Sequence, residues 1–166
     1  MPEDTTQFPI RGVSPIDGIF DKDEEEMRLL QQMAQDAEDY LESFSWCEEI
    51  REAYFGGGYG AIVAVFLFRI IPAKPDIDEW LWVVVGDLPP AYLVTDMSKS
   101  PSEALASYIR EMSRWIQHIK RGHRSMDLIP VDLNKTWENA AALEERLTIM
   151  REVIVPEFAA REAVLS

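Results

Sequence analysis

Two stretches of the chain, 61–71 and 79–86, are rich in Val, Ile, Phe and Trp on both alternating sets of positions. Successive side chains of a strand point to opposite faces, so each stretch presents an apolar surface on both sides. Such strands must be covered on both faces, which excludes a sheet with one face in water. The link 72–78 is long enough for a hairpin but too short for a helical crossover, so the two strands are predicted to be antiparallel.

The flanking segments add a third strand and an arm. A shorter strand is predicted at 91–95, after the turn Asp87-Leu88-Pro89-Pro90. Residues 1–20 contain too many prolines and glycines for a helix or a central strand. They are also too apolar for a typical disordered tail. We therefore expect 1–20 to be an extended arm that docks on its own domain, 21–166, or on a neighbouring chain.

Capping signals predict two helices in the first third of the chain. The first follows the N-cap Asp21 and ends near a kink at 43–45. A second, short helix is predicted to begin at the capping-box pair Ser45 and Glu48 and to end in the glycine run 56–60. That run precedes a strand and lacks Gly-Lys-Ser/Thr, so it is interpreted as a left-handed C-cap and not as a phosphate loop.

Two further helices are predicted after the strands. Ser100, Pro101 and Glu103 begin a helix of ~21 residues that closes at Gly122. After a loop at 123–135, a last helix spans 136–155, and Pro156 interrupts it or starts a short tail helix. Its predicted buried stripe is Ala140, Leu143, Leu147, Met150 and Ile154.

The predicted fold class is α+β, a three-stranded antiparallel meander flanked by about four helices. Four helices and the arm are sufficient to cover both faces of so small a sheet. Alternatively, a second copy of the chain closes one face, since an exposed apolar sheet face is unusual in a monomer. We therefore predict a homodimer or an arm that seals the sheet.

Charge is the main functional signal. The chain has 30 acidic and 16 basic residues, a formal net charge of −14, which argues against nucleic acid or an anionic membrane as partner. Residues 1–55 hold 15 acids and 4 bases, whereas 56–166 hold 15 acids and 12 bases. The excess is either a solvated surface or a steering surface for a basic protein. The candidate partner-binding residues are Glu24, Glu25, Glu26, Glu48, Glu49 and Glu52.

The sequence gives little support for a metal site or for a catalytic nucleophile. Cys47, His118 and His123 are too few and too scattered for a transition-metal site. Cys47 is predicted near a helix N-terminus, which lowers a thiol pKa, but its acidic neighbours raise it. We predict no catalytic residue, no metal and no cofactor. The single cysteine, the short apolar runs and the lack of a signal peptide predict a cytoplasmic protein.

Asp87 is the most suggestive single carboxylate, because it follows an apolar strand and precedes two prolines. It either accepts backbone N–H bonds of the following turn or stands at the rim of a pocket. The pocket candidates are Trp80, Asp87, Tyr92 and Trp115. They support an alternative function, a small-molecule-binding protein or enzyme with a pocket between the sheet and helix 101–121.

One segment has a sequence specific enough to compare with known families. It is Trp80-Leu81-Trp82-Val83-Val84-Val85-Gly86-Asp87-Leu88-Pro89-Pro90-Ala91-Tyr92. With the helix and loop that follow, it resembles an uncharacterised family of small bacterial cytoplasmic proteins, a domain of unknown function, over about residues 55–155. The resemblance implies no activity and no site residue. The small size of the chain and its acidic N-terminal half instead lead us to predict a non-enzymatic acidic protein that binds a basic protein, as small antidote or immunity-type proteins do.

Overall fold

A computed structural model describes residues 13–15, 24–122, 131 and 133–165. Within them the strands are β1 (Ser14–Pro15), β2 (Cys47–Tyr59), β3 (Val63–Pro72), β4 (Trp80–Gly86) and β5 (Ala91–Val94). The helices are α1 (Glu24–Glu42), α2 (Pro101–Arg121), α3 (Trp137–Ile149) and α4 (Val155–Leu165), with a π-helical segment, Met150–Ile154, joining the last two. The strands form one antiparallel sheet in the order β1-β2-β3-β4-β5. The predicted α+β class is confirmed, although the sheet of the described residues has five strands and not the predicted three.

The central hairpin β3–β4 is apolar on both faces, as predicted. Phe66 lies opposite Val83 and Leu67 opposite Trp82, and every residue from Val63 to Phe68 is buried. Helix α1 covers one face of the sheet, while α2, α3 and α4 cover the other. Helices of the same chain thus bury both faces, so the sheet does not need a second copy for burial. The homodimer stays a prediction.

The predicted helix over 45–56 is wrong, because residues 47–56 belong to β2 and residues 45 and 46 lie in the turn before it. Its register with β3 shifts at three places, between Cys47 and Glu49, Ile50 and Glu52, and Phe55 and Gly57. Each bulge inserts an unpaired residue and breaks the two-residue alternation that marks a strand in sequence. Pairing with β3 therefore outweighs the helix propensity of the glutamates and alanine, and the sheet is wider than predicted.

Gly56, Gly57 and Gly58 of the glycine run lie within β2, so its interpretation as a helix C-cap is also wrong. Gly57 has a φ of +155°, and a Cβ atom built there would lie 2.8 Å from the Phe158 ring. The missing side chain lets Phe158 of α4 pack directly on the strand, where the ring is buried. Gly60, with a φ of +54°, makes the turn into β3.

Helix α2 matches its prediction at both ends. The Ser100 side chain accepts a hydrogen bond from the Glu103 backbone N–H, and Pro101 occupies the first helical position. Gly122 closes the helix with a φ of 66°, and its N–H donates to the His118 carbonyl. These caps satisfy backbone groups that have no partner within the helix.

Of the two alternatives predicted at Pro156, the structure has the tail helix, which is α4. All five residues of the predicted stripe are buried, and Phe158 extends it. At the π-helical segment the Val155 N–H bonds to the Met150 carbonyl, five residues earlier. Pro156 has no N–H and its ring would crowd a regular helical turn, so the wider turn lets the helix continue through the proline.

Only part of the arm can be placed. Ser14 and Pro15 pair with Phe55 and Tyr54 of β2, and Val13 contacts the core under α2. Residues 1–12 and 16–20 of the predicted arm, the predicted N-cap Asp21, and residues 123–130 and 132 of the predicted loop lie outside the described residues.

Candidate functional site

Helix α1 carries an acidic outer face. It buries Leu30, Met33, Ala34, Ala37 and Leu41 against the sheet. Its 19 residues contain seven acids and one base, Arg28, which lies 3.5 Å from Glu24 in an exposed ion pair. Glu24, Glu25 and Glu26 are exposed in the first turn, where the positive end of the helix dipole favours them.

The other end of α1 is also acidic, and there the dipole opposes the charge. Glu38, Asp39 and Glu42 lie in the last turns, which contain no basic residue. Within the described residues, no salt bridge reaches any of the three. Partial burial raises the pKa of Glu38, and the negative charges of Glu42 and Asp39 raise it further. These carboxylates therefore repel one another at the negative end of the helix dipole.

The three candidates on β2 fall into two groups. Glu48 and Glu49 are exposed, whereas Glu52 is half-buried. The Tyr54 hydroxyl donates to Glu52 Oε1 at 2.5 Å, and Arg69 Nη1 donates to Glu52 Oε2 at 2.7 Å. These bonds lower the pKa of Glu52, while burial and the bond to Glu52 raise the pKa of Tyr54 to about 12. Glu52 is thus neutralised by a cation of its own chain.

Arg69 organises a second cluster on this part of the sheet. It also donates to Glu79, and its guanidinium lies 5.8 Å from the centre of the Trp80 ring. Trp80 stacks on Tyr54 with ring centres 6.1 Å apart. Trp80 therefore packs within a network of charged and aromatic groups around Arg69.

Tyr92 lies at the centre of a half-buried aromatic cluster on the α1 side of the sheet. Its ring centre is 5.4 Å from that of Phe44, 5.1 Å from Trp46 and 6.4 Å from Tyr40. Phe44 and Trp46 stack at 4.8 Å. We name Tyr40, Phe44, Trp46 and Tyr92 the aromatic cluster. It adjoins the acidic C-terminal end of α1, because Tyr40 lies in that last turn.

A pocket of about 330 Å³ lies between the β4–β5 turn and α3. It is lined by Asp87, Leu88, Pro89, Pro90, Leu133, Asn139, Ala142, Leu143 and Arg146. This pocket is not the one predicted between the sheet and α2. On that side of the sheet Trp115 is 2% exposed and fills the core beneath α2. Of the four pocket candidates, only Asp87 lines the observed pocket.

Asp87 forms an ion pair with Arg146, 59 positions later in the chain. Arg146 Nη2 donates to Asp87 Oδ2 at 2.6 Å and Arg146 Nε donates to the same oxygen at 3.1 Å. The backbone N–H of Asp87 donates to the Ile62 carbonyl at 2.9 Å. The buried Tyr108 hydroxyl donates to the Pro89 carbonyl at 2.6 Å, which fixes this wall of the pocket to α2.

Several residues of these clusters carry no signal in the sequence. Tyr40, Phe44 and Trp46 meet Tyr92 only through the tertiary fold, and no spacing in the sequence joins them. Arg146 lies between Leu143 and Leu147 of the buried stripe, and a single arginine beside such a stripe carries no functional signal in the sequence. The prediction that Cys47 lies near a helix N-terminus is wrong, since it begins β2. Burial and Glu42 raise the pKa of its thiol, so the thiol form is favoured.

Metal and membrane chemistry can be assessed for the described residues. Among them, no group of three or more His, Cys, Asp or Glu side chains could hold a metal ion. His118 is half-buried near the end of α2, and His123 lies outside the described residues. No helix in this part of the chain combines the length and apolar character needed to cross a membrane.

The chain matches no protein-family model, no curated protein and no solved structure. No residue role is therefore carried over from a relative. Two surfaces are candidates for a functional role. One is the acidic face of α1 with the adjoining aromatic cluster, and the other is the pocket beside Asp87 and Arg146.

Proposed function

We propose that this chain is a non-enzymatic interaction protein that binds a basic protein partner through α1. One observation carries the proposal. Glu38, Asp39 and Glu42 lie at the negative end of the helix dipole, and no salt bridge neutralises them within the described residues. Like charges in this position destabilise the helix. A basic partner would convert this unfavourable arrangement into an attraction.

The neighbouring aromatic cluster supports the same surface. Interfaces are enriched in Tyr, Trp and Phe at their centres and carry charge at their rims. The half-buried rings of Phe44, Trp46 and Tyr92 offer such a centre beside the acidic end of α1. Glu24, Glu25 and Glu26, with Glu48 and Glu49, extend the negative surface and would steer a basic protein during encounter. Glu52 is left out of this surface because Arg69 already neutralises it.

The proposal is tested with three full-length proteins immobilised against a lysate of the source cells. They are the natural chain, the triple variant Glu38→Gln, Asp39→Asn, Glu42→Gln, and the control Asp96→Asn, Glu145→Gln, Glu152→Gln. The control removes the same charge from exposed acids that lie outside α1. We expect a basic protein to be captured by the natural chain and the control, and to be depleted on the α1 variant.

The captured protein is then purified for rate measurements. At low ionic strength the α1 variant should associate about tenfold more slowly, because surface charge acts mainly on encounter. The difference should shrink near 0.15 M salt, where screening acts over about 8 Å. Capture that is equal on all three proteins, or an association rate insensitive to salt, contradicts the proposal.

We also propose a cytoplasmic location and a non-catalytic role. A cytoplasmic location is supported by the single cysteine, which leaves no internal disulfide to be formed. A non-catalytic role is supported by the burial of Cys47 and the raised pKa of its thiol.

A second candidate function is the binding of a small molecule, and the observation that favours it is the pocket beside Asp87. The pocket combines an apolar floor with one carboxylate and one guanidinium, the mixture typical of ligand sites. Its volume of about 330 Å³ lies at the small end of the range for such sites. The ligand would therefore be a small metabolite and not a nucleotide.

A further inference from the structure

The pocket presents charge on one side and apolar surface on the other. Pro89 and Leu143 are buried and Leu88 is half-buried, so a ligand would contact hydrocarbon there. The side chains of Asp87 and Arg146 keep 64% and 38% of their surface exposed, so both charged groups remain accessible. The site thus fits a molecule with a charged end and an apolar end.

The ion pair leaves bonding capacity on both partners. Nε and Nη2 of Arg146 both donate to Oδ2 of Asp87. Within the described residues, neither Oδ1 of Asp87 nor Nη1 of Arg146 has a hydrogen-bond partner. A carboxylate can accept through both oxygens and a guanidinium offers five N–H donors, so each group can bind a further ion without breaking the pair.

The opposite charges of Asp87 and Arg146 determine which class of ligand fits the pocket. A simple anion drawn to Arg146 would meet the Asp87 carboxylate, and a simple cation drawn to Asp87 would meet the Arg146 guanidinium. A molecule that carries both charges satisfies both groups. Its ammonium group would donate to Asp87 Oδ1, and its carboxylate would accept from Arg146 Nη1, both charge-assisted hydrogen bonds.

We propose that this pocket binds a free α-amino acid with an apolar side chain. The side chain would lie on Leu88, Pro89 and Leu143, while the α-ammonium and α-carboxylate groups engage Asp87 and Arg146. The wall is preorganised, because Tyr108 fixes Pro89 and the Asp87 backbone is bonded to Ile62. Preorganisation lowers the entropy cost of binding. This inference rests on the second candidate function and is independent of the acidic surface of α1.

Three probes of nearly equal shape test the proposal on the natural full chain by calorimetry or NMR titration. They are L-leucine, its analogue without the ammonium group, 4-methylpentanoate, and its analogue without the carboxylate, 3-methylbutylamine. We expect leucine to bind about tenfold more tightly than either analogue, the factor that about 1.4 kcal/mol of binding free energy represents. If an analogue binds as tightly as leucine, the amino-acid assignment is wrong while the pocket function stands.

Two variants locate the binding site. Asp87→Asn should weaken leucine about tenfold and leave 4-methylpentanoate unchanged or tighter, since it removes the repelling charge. Arg146→Gln should weaken the binding of leucine and of 4-methylpentanoate, which both carry a carboxylate, and leave the binding of 3-methylbutylamine unchanged. The matched control is the Glu157→Gln, Arg161→Gln pair, which removes a 3.0 Å ion pair of α4 that does not line the pocket.

The remaining outcomes overturn the proposal. Leucine binding that is unchanged in both pocket variants places the ligand elsewhere. If none of the three probes binds at about 10 mM, where even millimolar affinity would be detected, both the amino-acid assignment and the pocket function fail. The probe comparison uses only the natural chain, so it decides the question even if a variant does not fold.

Discussion

Helices α1 and α2 cover opposite faces of the same sheet but differ in how their charges are arranged. Helix α2 has a Ser cap, Glu103 in its first turn, and His118, Lys120 and Arg121 in its last turn. All of these agree with the helix dipole. Helix α1 has acids in its first turn, but its last turns contain acids and no base.

The comparison separates the stability that a helix gains from burial from the stability that it gains from the charges at its ends. Both helices bury a full apolar stripe against the sheet, and burial supplies most of the stability of a helix in a protein. Helix α2 adds optimised ends to that burial. At its C-terminal end helix α1 lacks this stabilisation, because the acidic side chains there oppose the helix dipole. Local choices that oppose stability are expected at functional sites, and this contrast is the basis of the proposed interaction surface.

The largest expected effect tests whether α1 and α2 contribute equally to the stability of the fold. Leu41 of α1 and Leu105 of α2 are both fully buried. Leu41→Ala and Leu105→Ala should each lower the free energy of unfolding by about 2–5 kcal/mol, because each removes buried methyl groups and leaves a cavity. Denaturant titration measures both. Val164→Ala, at a position 84% exposed, is the control and should change stability by less than about 0.5 kcal/mol. A small effect at Leu41 alone would mean that α1 is only loosely docked.

An intermediate effect is expected at the caps. Ser100 accepts a backbone hydrogen bond at 3.2 Å, so Ser100→Ala should lower the free energy of unfolding by about 1 kcal/mol. Ser45, the predicted cap of a helix that does not form, is exposed in the turn between α1 and β2. Ser45→Ala should therefore stay within about 0.5 kcal/mol of the natural chain. Equal losses at the two serines would argue for a helix over 45–56 after all.

The smallest effect is expected at the acidic end of α1 and depends on pH. The folded-state pKa of Glu38 lies above its ordinary value of 4.5, so its ionisation destabilises the fold. Glu38→Gln should therefore raise the free energy of unfolding at pH 7 by a few tenths of a kcal/mol, since solvent screens a partly exposed group. The gain should be complete above the folded pKa and vanish below pH 4.5, where the carboxyl is protonated in both states.

Glu52 provides the opposite case for the same measurement. Its folded-state pKa lies below 4.5, because Tyr54 and Arg69 stabilise the carboxylate. Its contribution is therefore present above pH 4.5 and is lost as the pH falls through the folded pKa. Glu52→Gln should be destabilising at pH 7. If both variants shifted stability in the same direction, the contrast between a neutralised and an unneutralised carboxylate would be wrong.

Local signals were sufficient for the elements whose residues agree with one another. Helix α2 could be predicted to within a residue because a Ser-Pro start, a regular apolar stripe and a closing glycine all indicate the same helix. Strands β3 and β4 could be predicted because most of their residues are β-branched or aromatic and apolar on both faces. The stripe of the last helix was predicted for the same reason, and a tail helix at Pro156 was one of two alternatives, but the π-helical segment that joins them was not predicted.

Strand β2 could not be predicted, because its sequence and its environment disagree. Glu48, Glu49 and Glu52 favour a helix in isolation, and the bulges remove the alternation that would have indicated a strand. What holds β2 extended is its partner β3, which begins after the turn at Gly60. The aromatic cluster and the Asp87–Arg146 pair could not be predicted for a related reason, since each joins residues that are far apart in the chain.

By itself, the sequence determined the α+β class, the two-faced central hairpin, helix α2 and the concentration of negative charge in residues 1–55. These properties depend on composition and on side chains within one or two turns of each other. Only the tertiary structure decided that α1 covers one face, that β2 is a strand, that Glu52 is neutralised, and that Asp87 faces Arg146 across a pocket. Such contacts form between segments distant in sequence, where hydrogen bonding and packing outweigh local propensity.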